Sequence, residues 1–139
     1  MSGVRYLIDK SALVRWGKPA AKPLLDELSE RALLAVTGAV EYEMLFSARN
    51  VGEAARIKRL LYGFDYVRCT DEVWDRVVEV QQLAIAKGIH RSLSMADLII
   101  AATAERHGLV VLHYDGDYDM IAALTGQVVR WVAAPGTAD

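Results

Sequence analysis

Five carboxylates carry most of what this sequence can do chemically: Asp9, Glu43, Asp97, Asp115 and Asp117. Asp9 closes the short strand expected over Val4 to Ile8, and Asp115 and Asp117 follow the apolar run Leu109 to Leu112. Asp97 opens a second apolar stretch, and Glu43 sits inside a third. Oxygen ligands without a supporting cysteine or histidine cluster suit a hard divalent cation, magnesium first and manganese as the alternative. A pair of such ions, roughly 3.5–4 Å apart, can activate water on one side of a phosphodiester and stabilise the departing oxygen on the other. Phosphodiester hydrolysis is therefore the chemistry this set predicts.

Each carboxylate also has a plainer reading. Asp97 lies three residues after Ser94, so it can complete a capping box at the positive end of a helix. Asp9 alone would pass for a turn or cap residue. The functional reading rests on the repetition, because two acids at the carboxyl ends of two buried strands stand where α/β sheets collect ligands. Glu41 and Glu43 are two apart and project about 200° from each other on a helix, so one of them must face away from any shared site. Local periodicity does not choose between them. Ser11 can cap the following helix or donate to a phosphate or to water at the site. The three histidines, His90, His107 and His113, lack zinc-motif spacing and are expected at the surface or in ordinary hydrogen bonds. The segment around Asp115 also lacks the ligand order of a calcium loop. Neither Cys69 nor Ser94 has an evident base, which leaves water as the attacking group.

The elements that must position these side chains read off in order. A strand over Val4 to Ile8 precedes Asp9, and Gly17 and Pro19 break the chain before a helix from about Ala20 to Glu30. Leu33 to Val36 forms the second strand, and Thr37 caps a helix from Ala39 to Arg49 that carries both glutamates. Val51 to Leu61 is helical, with Arg56, Lys58 and Arg59 on a basic face that is either simply solvated or lines an approach for RNA backbone. Phe64 to Cys69 is extended, and Thr70 opens the longest helix, to about Lys87, with Trp74, Val77, Val78, Val80, Leu83 and Ala84 as one wide apolar stripe. Ser94 starts a helix apolar almost all round, which predicts a central, covered position. That helix stops at Gly108, where positive φ is easiest. A buried strand over Leu109 to Leu112, a short helix over Tyr118 to Leu124 and a closing strand over Val128 to Trp131 complete the outline.

Alternation of short apolar strands with helices predicts an α/β fold with about five short, mostly parallel strands covered on both faces. The 139 residues suit one domain, taken as residues 1–132, with residues 133–139 expected to fray as a tail. The 16 basic and 18 acidic residues give no basic signature of a large nucleic-acid groove. Setting the five site acids aside leaves 13 acids against 16 bases, so the remaining surface does not oppose a phosphate-bearing substrate. One cysteine excludes an internal disulfide and fits a reducing, cytoplasmic setting. No signal peptide or membrane span is expected.

Four segments together resemble a known family: LIDKSAL at 7–13, TGAVEYEMLFSAR at 37–49, SMADLIIAATAERHG at 94–108 and VLHYDGDYDMIA at 111–122. In order and spacing the chain is similar to PIN-domain ribonucleases and, among them, to the VapC toxins of type II toxin–antitoxin pairs. The resemblance implies a PIN-like three-layer α/β/α sandwich and an endoribonuclease dependent on Mg2+ or Mn2+ that cuts specific structured RNA, transfer or ribosomal, and so stops translation. It makes Asp9 the first family acid, Glu43 the second, Asp97 the third and Asp115 the fourth, with Asp117 close behind. Lys10 stands where the family often carries threonine. The implied partners are a cognate VapB-type antitoxin, a second copy of the chain in a homodimer, and operator DNA reached only through the antitoxin. Two other readings use the same residues: a non-catalytic PIN-like interaction domain, and a metal-dependent phosphatase for small substrates.

Overall fold

In a computed structural model, which describes residues 3–139, five strands form one sheet in the order β3-β2-β1-β4-β5, with every neighbouring pair parallel. The strands are β1 (Tyr6–Ile8), β2 (Leu34–Thr37), β3 (Asp65–Val67), β4 (Val110–His113) and β5 (Val129–Trp131). Helices α1 (Lys10–Leu13), α2 (Lys22–Glu30), α3 (Gly38–Phe46), α4 (Val51–Leu61), α5 (Asp71–Ala86), α6 (Met95–Arg106) and α7 (Asp117–Thr125) cover both faces. This is the three-layer arrangement that the alternating pattern predicts.

The inner strands β1 and β2, though this short, hold because they are buried through their length. All three residues of β1 and all four of β2 are buried, and a parallel strand covered on both faces needs such a continuous apolar run. The chain places β2 and β3 to one side of β1, then returns to place β4 and β5 on the other. The strand order thus reverses between β1 and β4, and ligand crevices form at the carboxyl ends of strands flanking such a reversal. The register Ile8↔Leu112 and the hydrogen bond from Asp9 N–H to the Leu112 carbonyl, 2.9 Å, bring Asp9 level with the end of β4.

The helix expected to be central is so: residues 97–104 of α6 are all buried, against α5, α7, α3 and the sheet. Ser94 caps it, its Oγ accepting the Asp97 N–H at 3.1 Å. The reciprocal half of the expected capping box is not made, because the Asp97 carboxylate turns to the Tyr118 hydroxyl instead. Thr37 takes the N-cap position of α3, but its hydroxyl is buried without a hydrogen-bond partner. The single wide stripe expected on α5 narrows to Val73, Val77, Val80 and Ala84, whereas Trp74, Val78 and Leu83 remain 45%, 53% and 42% exposed. Gly108 and Gly126 end α6 and α7 with φ of 67° and 79°, where a side chain would be strained. Among the described residues no helix is long and apolar enough to cross a membrane.

Residues 133–139 depart from the expected frayed tail. Ala138 is 2% exposed, its N–H donates to the Tyr114 hydroxyl at 3.0 Å, and its carbonyl accepts from Arg15 Nε at 3.1 Å. The Tyr114 hydroxyl in turn donates to Asp139 at 2.8 Å, and the Arg15 guanidinium lies 4.3 Å over the Tyr114 ring. Terminal position alone misses this return, because the partners lie more than a hundred residues away at Arg15 and just after β4 at Tyr114. Truncation after Val132 should therefore lower the unfolding free energy by about 2 kcal/mol, the worth of a pair of buried hydrogen bonds. Urea unfolding of the truncated and full chains checks this, and an unchanged midpoint would show that the tail adds nothing.

Candidate metal centre

The predicted acids gather at the carboxyl ends of β1 and β4. Asp97, Asp115 and Asp117 each bring one carboxylate oxygen within 4.8 Å of the other two. Asp97 arrives on the first turn of α6, Asp115 on the turn after β4, and Asp117 at the start of α7. Asp9 and Glu43 stand outside that triad but within its field, since the charge of each raises the pKa of Asp97. Of the two glutamates, Glu43 is the one near the cluster, since the charges of Asp9 and Asp115 act on it. It lines a groove of about 490 Å³ with Lys10, Ala39, Tyr42, Phe46, Met95 and Ile99, while Glu41 lines a separate hollow beside Tyr62, Phe64 and Tyr66.

Asp9 is 4% exposed and held from the protein side by three donors. Its Oδ2 accepts the Ser11 N–H at 3.0 Å and the Ser11 hydroxyl at 2.6 Å, and its Oδ1 accepts the Tyr118 hydroxyl at 2.8 Å. The Ser11 oxygen also accepts the Tyr114 N–H at 2.9 Å, so this hydroxyl ties the end of β1 to the end of β4. Ser11 is thus committed to Asp9 and Tyr114, a different task from the cap or phosphate donor that its position suggests. Asp115 is fixed through its backbone and its side chain: its N–H donates to His113 Nδ1 at 3.0 Å, and its Oδ1 accepts the Asp117 N–H at 2.9 Å.

Like charges brought together in a partly desolvated pocket resist ionisation. Burial, and then the charges of Asp9 and Asp115, raise the Asp97 pKa from 3.8 to about 7, against the opposing Tyr118 hydrogen bond. Burial followed by the Asp9 charge also raises Glu43, with Lys10 opposing, and burial followed by Asp115 raises Asp117. A cluster in which Asp97 holds its proton to about 7 for want of positive charge suits a hard divalent cation in both donor type and electrostatics.

Two residues here were not singled out from the sequence. His113, expected at the surface or in an ordinary hydrogen bond, is fully buried. Its Nδ1 accepts a hydrogen bond from the Asp115 N–H, so Nε2 carries the ring proton, 3.9 Å from Asp119. Burial lowers its pKa, which keeps the ring neutral. The apolar run before it ends at Leu112, yet β4 continues through His113; only the buried neighbours on either side signal that continuation. Tyr118 is also fully buried, and its hydroxyl lies 2.8 Å from Asp9 and 3.3 Å from Asp97. No local pattern announces a contact that spans 109 positions of the chain.

Known proteins resemble this chain in sequence and in fold. Residues 6–124 match the family model described as PIN domain. Ribonuclease VapC21 of Mycobacterium tuberculosis is 47% identical over 135 residues, covering 96% of this chain and 98% of that protein. Ribonuclease VapC51 of the same organism is 40% identical over 136 residues, covering 98% of each chain. Among solved structures, the DNA-bound VapBC of Salmonella typhimurium superposes with a TM-score of 0.78 over 94% of this chain and 100% of that one, at 12% identity, a likeness of fold.

The crowding of acids has a consequence for stability. Unfolded, Asp97 ionises near 3.8; folded, it keeps its proton to about 7, so the native state binds more protons in this window and metal-free stability falls as pH rises through it. His113 acts in the opposite sense, because its folded pKa lies below the unfolded value of 6.5. Comparison with Asp97→Asn separates the two. The variant should gain stability relative to the parent chain, by up to roughly 3 kcal/mol, as pH goes from about 5 to about 8. Urea unfolding in EDTA reads this difference, and a gap independent of pH would contradict it.

Proposed function

The chain belongs to the PIN-domain family, among the VapC ribonucleases, and on that premise we propose that it is the toxin of a type II toxin–antitoxin pair, an endoribonuclease dependent on Mg2+ or Mn2+. The observation that carries the metal-dependent part is the convergence of Asp97, Asp115 and Asp117 within 4.8 Å, beside Asp9 and Glu43. Asp97, Asp115 and Asp117 would hold the cation, with Glu43 and Asp9 completing its charge. When bound, the cation supplies a Lewis acid for water activation and for the charge that develops on the phosphate.

The chain's own residues do the positioning. Ser11 and Tyr118 fix the Asp9 carboxylate, and the His113 ring and the Asp117 N–H fix the turn that presents Asp115. Lys10 lines the groove beside Glu43, where a cation on a flexible stem is suited to meet the RNA backbone. With the acids neutralised, the excess of basic residues elsewhere favours approach of a polyanion. The substrate on this reading is specific structured RNA, transfer or ribosomal, and its loss stops translation in the cytoplasm. Family membership supports a VapB-type antitoxin as the partner that restrains the activity and binds operator DNA on behalf of the complex. The half-exposed Trp74, Val78 and Leu83 on α5 support a homodimer.

Purified, antitoxin-free protein should cut total cellular RNA into discrete fragments with magnesium or manganese and leave it intact in EDTA. Asp97→Asn should reduce cleavage by more than about a hundredfold, the upper end of what loss of a metal's outer-shell partner costs. Glu43→Gln should impair cleavage while Glu41→Gln leaves it near the parent level, since only Glu43 faces the cluster. Intact RNA under every condition, from folded protein shown to bind the cation, would sink the nuclease reading and favour an interaction domain.

A further inference from the structure

The hydroxyl of Tyr118 bridges two carboxylates of the cluster, Asp9 and Asp97, and the surrounding core dictates where it sits. Tyr118 lies in the first turn of α7 and is fully buried. Its ring packs 5.0 Å from the His113 ring, which lies 5.0 Å from Trp131 on the other side. His113 is itself fully buried and anchored by the Asp115 N–H. A ring enclosed in this way has no free rotamer, so its oxygen is a fixed point against which carboxylates can be set.

The hydrogen bonds show what is set. A phenol has one proton to donate, and here it is shared unequally between two acceptors, Asp9 Oδ1 at 2.8 Å and Asp97 Oδ1 at 3.3 Å. Ser11 holds the other oxygen of Asp9. Asp9 is thereby clamped at both oxygens: Oδ2 spends both lone pairs on Ser11, and Oδ1, accepting one hydrogen bond, keeps one free. Without a donor between them, two carboxylates in a poorly solvated pocket repel and swing apart.

We infer that Tyr118 is a positioning residue for the metal centre: its hydroxyl holds the Asp97 ligand beside Asp9 before the cation arrives and so raises the affinity for it. The inference rests on the proposed metal-dependent reading of this site. Tyr118 touches no substrate; it acts through the two carboxylates. The competing account is that Tyr118 fills the core and its hydroxyl merely takes the nearest acceptors. Phenylalanine separates the two accounts, because it fills the same space and lacks only the hydroxyl.

The test titrates Mn2+ into the parent protein and Tyr118→Phe by calorimetry, with circular dichroism in EDTA to show that both are folded. The parent chain should bind, and the variant should bind about 10–100-fold more weakly, the usual cost of losing an outer-shell partner. A second readout needs no variant: Mn2+ binding should perturb the ultraviolet spectrum of a buried tyrosine in the parent chain, as the charge on both acceptors of its hydroxyl changes. Equal affinities in two folded proteins would overturn the inference and leave the metal centre standing. Mn2+ uptake by the parent chain without any tyrosine signal would overturn it also, even if the variant fails to fold. No uptake by the parent chain would remove the metal centre itself, and the role of Tyr118 with it.

Discussion

Burial of carboxylates, compounded by their mutual repulsion, is the constraint on which the rest of this structure depends. Asp9 and Asp97 are 4% and 8% exposed, and Glu43, Asp115 and Asp117 are partly buried around them. Raising a carboxyl from 3.8 to about 7 corresponds to roughly 4 kcal/mol of differential interaction at neutral pH. That is a large fraction of the 5–15 kcal/mol by which a typical domain is stable, so the crowding must be offset elsewhere. The central helix supplies much of the offset. Leu98, Ile99 and Ile100 are all buried, and each such side chain contributes about 1.5–3 kcal/mol. The residues that crowd the site and those that tolerate the crowding thus occupy consecutive positions of one helix.

The architecture also reduces the repulsion where it is greatest. Asp97 lies in the first turn of α6 and Asp117 in the first turn of α7, so both face the positive end of a helix. The strand reversal between β1 and β4 opens the crevice into which these helix ends point. Backbone and side-chain donors then hold individual oxygens: Ser11 and Tyr118 on Asp9, and the Asp117 N–H on Asp115. The remaining demand for positive charge is one that a cation can meet and the protein does not. Lys10 is the basic side chain in the groove, and it offsets Glu43 without reversing the upward shift that burial and Asp9 impose.

Most of the fold was legible because its signals are local. A four-residue apolar run between a glycine and a polar turn reads as a buried strand, and β4 is found one residue along from the expected Leu109 to Leu112. Residues 51–61 read as a helix from periodicity alone, and α4 has those bounds. The gathering of the aspartates was legible for a different reason: each follows a strand or opens a helix, and parallel topology brings such places to one edge. What was not legible depends on pairings across the chain. The choice of Glu43 over Glu41 turns on the rotation of α3 against its neighbours. The tail was misread because Tyr114 and Arg15, which receive it, carry no local mark of doing so.

His113 and Tyr118 show why a site can be read more easily than its foundation. Ligand carboxylates must be charged, and charge beside apolar runs stands out in any sequence. The groups that aim them are selected for fit to a core, where an aromatic ring is unremarkable. Tyr118 differs from phenylalanine by one oxygen, and that oxygen lies between Asp9 and Asp97. His113 differs from an apolar strand residue by two nitrogens. One of them accepts the Asp115 N–H, and burial keeps the ring neutral and so able to accept. A carboxylate cluster is therefore only as well ordered as the rings packed beneath it, and the geometry of this centre is determined from the core outward.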